Sequence, residues 1–209
     1  AVSVARAAST MSDGMQVIDD CAPNEPGCDA SFRMEGIWSR FGSLANQMEG
    51  AYNGGVHYTQ VNVDGTGAEA RAIYSFNLPN AQGAFPLAAG TYSVQVTFKD
   101  FGNQSVSDDV QYRIDNGKGG TQNVVISQRS FVQADTVRHP THVDANGTSW
   151  VELATVQVDG PLTVSLLNTS RSKWFVQADA IRISANNQEA VTASDPAAVP
   201  EPDPAADPG

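Results

Sequence analysis

In Gly90-Thr-Tyr-Ser-Val-Gln-Val-Thr-Phe98 every second residue is large and apolar. Tyr92, Val94, Val96 and Phe98 fall on one side, while Thr91, Ser93, Gln95 and Thr97 fall on the other. An extended chain sends successive side chains to opposite faces, so this spacing predicts a half-buried β-strand with one wet face. The same period recurs at Ala70, Ala72, Tyr74 and Phe76, at Val110, Tyr112 and Ile114, and at Leu162, Val164 and Leu166. Val56 to Val63 and Trp150 to Val158 are further strands, the second bulged where its phase slips between Leu153 and Val156. No stretch of ten residues sustains a helical period. Ala81 to Ala89 offers the one candidate helical turn, limited by Pro79 and Pro86.

Turn signals separate the runs: Asp64-Gly65, Asp115-Asn116-Gly117, Asn146-Gly147 and Asp159-Gly160-Pro161. About nine or ten strands at this spacing predict an all-β chain folded as an antiparallel β-sandwich, jelly-roll-like, in a single domain. That domain is expected over residues 15–185, after an extended N-terminal segment at 1–14. Residues 186–209 hold five prolines and five acidic residues but no aromatic or basic one. They are expected to be an acidic Pro/Ala-rich linker or a tail that docks on a partner, because such a segment has little apolar surface to bury against the entropy of ordering.

The formal net charge is −11. An acidic surface repels phosphate backbones and anionic lipid, which argues against nucleic-acid partners and membrane-surface binding. No apolar run approaches the ~20 residues of a membrane-spanning helix. The start, Ala1-Val2-Ser3-Val4-Ala5-Arg6, reads as an end left by processing, which suits a secreted or cell-surface protein. Cys21 and Cys28 bracket a short loop rich in turn formers. A local disulfide between them is sterically feasible, the alternatives being free thiols or half of a zinc site.

Catalytic signatures are missing: there is no Gly-x-Ser-x-Gly elbow, no His-Glu-x-x-His and no phosphate loop. Asp19, Asp20 and Asp29 crowd one acidic loop and form a candidate calcium site, since hard cations take clustered oxygens. A sugar needs an aromatic face for its apolar side and amides or hydroxyls for its edges. The turn Tyr52-Asn-Gly-Gly-Val-His-Tyr58 is the best single patch, which nominates Tyr52, His57 and Tyr58, and Trp150 is nominated as a further large ring outside the cleanest core faces. Asn103, Asn146 and Asn168 fit the glycosylation acceptor pattern.

Five segments carry a resemblance. They are Met15-Gln-Val-Ile-Asp-Asp20, Gly36-Ile-Trp-Ser39, Asn53-Gly-Gly-Val-His-Tyr58, Leu87-Ala-Ala-Gly-Thr-Tyr-Ser-Val-Gln-Val96 and Trp174-Phe-Val-Gln-Ala-Asp-Ala-Ile-Arg-Ile183. In this order they resemble the golvesin/xanthan-lyase carbohydrate-binding-like domain, over residues 15–184. The resemblance implies a jelly-roll-like sandwich attached to secreted bacterial enzymes and surface proteins. The cysteine loop after Asp20 and the stretch Ser130 to Asn146 depart from that pattern. The leading expectation is a non-catalytic module that binds carbohydrate or matrix polysaccharide. The alternatives are a structural subunit that self-associates through residues 1–14 and 186–209, and a polysaccharide hydrolase or lyase.

Overall fold

The computed structural model describes residues 15–20, 31–42, 51–52, 55–62, 69–76, 87–101, 106–117, 119–129, 141–170 and 174–186. The two cysteines, Asp29, both terminal segments, the Asp64-Gly65 turn and most of Ala81 to Ala89 lie outside them.

Among the described residues the chain forms thirteen strands and no helix. They are β1 (Met15–Ile18), β2 (Phe32–Glu35), β3 (Ser39–Gly42), β4 (Gly55–Gln60), β5 (Arg71–Phe76), β6 (Gly90–Val96) and β7 (Val110–Asp115). After these come β8 (Thr121–Ile126), β9 (Thr141–Val143), β10 (Ser149–Val158), β11 (Leu162–Leu167), β12 (Phe175–Ala178) and β13 (Ile181–Ala185). Three antiparallel sheets result, ordered β1-β13-β6-β10-β9, β2-β5-β11-β7-β8 and β12-β4-β3. The predicted all-β sandwich is what the chain adopts.

The period-two residues named above make the core. Tyr92, Val94 and Val96 from the first sheet join Ala72, Tyr74, Phe76, Tyr112, Val164 and Leu166 from the second in one buried cluster. Burying one Leu or Phe side chain contributes about 1.5–3 kcal/mol, so this cluster is the main stabilising term. The turns also match their signals. Gly117 and Gly147 sit at φ 80° and 81°, where an L side chain is strained. β10 shifts register against β6 between Glu152 and Ala154, overlapping the start of the slip expected between Leu153 and Val156.

Two expectations change. The face of β6 expected to be wet is exposed only at Thr91: Ser93, Gln95 and Thr97, just past the strand, are buried. The strand is central in its sheet, and Arg182 of β13 lies in register with Gln95 and donates to its Oε1 at 2.6 Å. Asn168 is also buried, with its side chain bonded to the Ala70 amide and the Gln60 carbonyl, so it is no surface acceptor for a glycan.

The three-stranded sheet is fixed to the other two at its ends. β12 runs into β13 through Asp179-Ala180, and the Ala180 carbonyl accepts the Thr97 amide. Beyond β4, Asn62 bridges Thr169 just past β11. Val176 and Ala178 of β12 face the core. Alternation therefore turns Phe175 and Gln177 to the opposite face.

Candidate functional site

β4 separates the residues nominated from its turn. His57 and Tyr58 are consecutive in an extended strand, so their side chains leave on opposite faces. His57 is buried within the molecule, whereas Tyr58 is half-buried on the outer face of the three-stranded sheet.

The outer face gathers four rings. Tyr58 stacks on Phe41 of β3, with ring centroids 4.2 Å apart and planes 11° from parallel. Phe175 of β12 meets Tyr58 edge-on at 5.3 Å, and Phe101 meets Phe41 edge-on at 6.4 Å. Phe41 is 45% exposed, and Phe101 and Phe175 are each 39% exposed. An exposed cluster of large rings is costly to leave in water, and such patches mark recognition surfaces. Beside it lies a groove of about 390 Å³ bordered by Ile37, Ser39, Tyr58, Gln60, Asn62 and Phe175. Ile37 is 78% exposed at its rim. Of the four nominated residues, Tyr58 alone belongs to this face. The alternation of the Phe-Val-Gln-Ala segment, with Val176 and Ala178 inward, is the signal that places Phe175 here.

Below β4 is a polar tie. The His57 amide donates to Asp20 Oδ2 at 2.7 Å, and His57 Nδ1 lies 2.8 Å from the same oxygen. The Tyr52 amide donates to both oxygens of Asp179, each at 3.1 Å, and the Tyr74 hydroxyl donates to the Asp179 carbonyl at 3.0 Å. Asp19, Asp20 and Asp179 bring carboxylate oxygens within 4.8 Å of one another. Burial, then the charges of Asp179 and Asp19, push the Asp20 carboxyl well above the usual carboxylate range, against the pull of the His57 amide. Burial and then the Asp19 charge raise Asp179 likewise, against the Tyr52 amide. Oxygens grouped in this way can share a proton or take a hard cation. Their amide partners make them a clamp that joins β1, β4, residue 52 and the β12–β13 link. Asp19 and Asp20 of the nominated calcium loop thus meet Asp179, a residue that the closing motif contains and to which the sequence assigns no role.

Trp150 and Tyr52 meet on the outer face of the first sheet, edge-on at 5.5 Å. Trp150 is only 1% exposed. The Arg182 guanidinium carbon sits 4.5 Å from its ring centroid, and its indole N–H donates to Asp144 Oδ2 at 2.9 Å. Its ring is enclosed by the protein itself, so Trp150 acts as a structural anchor for the β9–β10 hairpin.

No family model matches the chain, and no curated protein matches it.

Proposed function

We propose that this chain is a secreted, non-catalytic, golvesin-type module that binds polysaccharide on the outer face of its three-stranded sheet. The observation that carries the reading is the exposed ring cluster Phe41–Tyr58–Phe101–Phe175 beside a groove rimmed by hydroxyl and amide groups. Pyranose rings present apolar C–H faces that stack on aromatic rings, and their edge hydroxyls need neutral donors and acceptors. The motif order from residue 15 to 184 supports the golvesin assignment and, with it, secretion as part of a larger protein. The carboxylates of the polar tie are bound to backbone amides on the far side of β4, which favours a structural role for them over acid–base work on a glycan.

The test is binding of the full chain to a panel of immobilised polysaccharides, with Phe41→Ala and Phe175→Ala variants alongside. Covering about 60 Å² of ring surface at ~25 cal/mol/Å² contributes about 1.5 kcal/mol, roughly tenfold in affinity. Each variant should therefore keep its circular dichroism spectrum and lose about tenfold in binding. Parent-like binding by both folded variants would remove this face from the function.

A further inference from the structure

We infer that the site selects uncharged glycans, an inference that rests on the polysaccharide reading. The described residues bordering the groove, from Ile37 and Ser39 on β3's side to Asn168 and Phe175, include no Asp, Glu, Lys, Arg or His. What they offer a ligand is neutral. Ser39, Tyr58 and Gln60 have side-chain hydroxyls and an amide that no hydrogen bond within the chain engages among the described residues. All three share one face with the rings: Ser39 is in register with Tyr58, and Gln60 with Phe175. Each of these groups both donates and accepts, which matches a sugar hydroxyl.

A uronic acid or a sulfated sugar meets the opposite situation. Its charge loses hydration on entering the groove, and among the described residues no guanidinium or ammonium lines the wall to replace it. The whole molecule, at a formal net charge of −11, repels a polyanion before contact. The described cations Lys99, Arg129 and Arg40 come near the rings without lining the groove. Lys99 is followed at once by Asp100, and Arg129, which donates to the carbonyl of Val106 beside Phe175, is paired with Asp108 at 3.2 Å. Arg40 sits in register with His57, on the opposite face of the sheet from Phe41 and Tyr58.

The experiment is affinity electrophoresis of the full chain in native gels cast with hydroxyethylcellulose, galactomannan, alginate or polygalacturonate. It is run with the parent, Tyr58→Ala, and Gln60→Ala, the last being an exposed position where truncation leaves the core intact. Retardation by a neutral polymer is expected, lost with Tyr58→Ala and weakened about threefold or more with Gln60→Ala. Between about 0.05 M and about 0.5 M NaCl it should change less than about twofold, because no ion pair is screened. Stronger retardation by alginate or polygalacturonate, lost in Tyr58→Ala and declining with salt, would overturn the neutral preference and leave the polysaccharide reading standing. No retardation by any of the four would overturn both.

Discussion

Asp144 gives the strongest test of how this sandwich is held together. Its Oδ1 accepts the amides of Asn146 at 2.8 Å and Thr148 at 3.0 Å, which shape the β9–β10 turn. Its Oδ2 accepts the indole N–H of buried Trp150 and lies 3.8 Å from Arg182 Nη1. The Asp144 side chain is only 19% exposed, so water reaches it poorly. Asp144→Ala strands the indole N–H, at about 1–3 kcal/mol, and releases two turn amides that water partly recovers, at about 0.5–1 kcal/mol each. The expected loss is about 2–5 kcal/mol, or about 4–20 °C in Tm for a domain of this size.

Asp144→Asn keeps an acceptor for the turn but sets an amide N–H₂ against a second donor at Trp150 or at the turn, so about half of that loss is expected. Acid provides an independent check. Burial opposes ionisation of Asp144, yet the Trp150 indole, the two amides and Arg182 together hold its carboxyl below the usual range. A depressed carboxylate contributes stability above the unfolded value near ~3.9 and loses it as pH falls through the folded value. Urea unfolding at about pH 6 and about pH 3 should therefore show the gap between parent and Asp144→Asn narrowing in acid. An Asp144→Ala protein within about 0.5 kcal/mol of the parent, or a gap that ignores pH, would refute the reasoning.

Two other perturbations probe separate parts of the fold. Gly36 sits at φ +85°, and a Cβ there would meet the Glu69 carbonyl oxygen at 2.6 Å and Ala70 at 2.7 Å. Gly36→Ala should cost about 2–3 kcal/mol, read as a lower urea midpoint, because both strain and backbone overlap oppose it. Asp179 behaves oppositely to Asp144. A carboxyl whose folded pKa is raised contributes stability below its unfolded pKa and loses it as pH rises through the folded one. Asp179→Asn should therefore gain on the parent as pH increases from about 4 to about 8, and a pH-independent difference between them would show that no proton is held there.

The central strands β5, β6, β7, β10 and β11 of the two large sheets are legible in the sequence because they are long enough for the period of two to repeat. Sheet membership was harder. The strands β1, β2, β3, β9 and β12 have three or four residues each, too few for alternation to stand out from chance. The recognition face was only partly legible. Tyr58 follows from the Gly-Gly-Val-His-Tyr turn, but alternation alone forbids His57 from joining it on one surface. Trp150 looks available because it points away from the main core. It is enclosed by Tyr52, Arg182 and Asp144, which approach from distant parts of the chain. Phe41 and Phe101 come together across about sixty residues, and no local pattern encodes that pairing. Gln95 reads as wet for a similar reason: its partner is Arg182, nearly ninety residues downstream.

The pairing of β1 with β13 has a mechanical consequence. Met15 lies opposite Ser184 and the two strands are antiparallel, so the chain enters and leaves the domain at the same end of one sheet. Neighbouring polypeptide on both sides thus meets at a single attachment point, with partner Cα atoms about 5 Å apart. Tension between those two flanks would peel β1 from β13 one hydrogen bond at a time instead of shearing the whole ladder at once. Unzipping of this kind yields at low force. Carried within a longer chain as a hanging loop, such a domain would act as a compliant element, not as a link that transmits load.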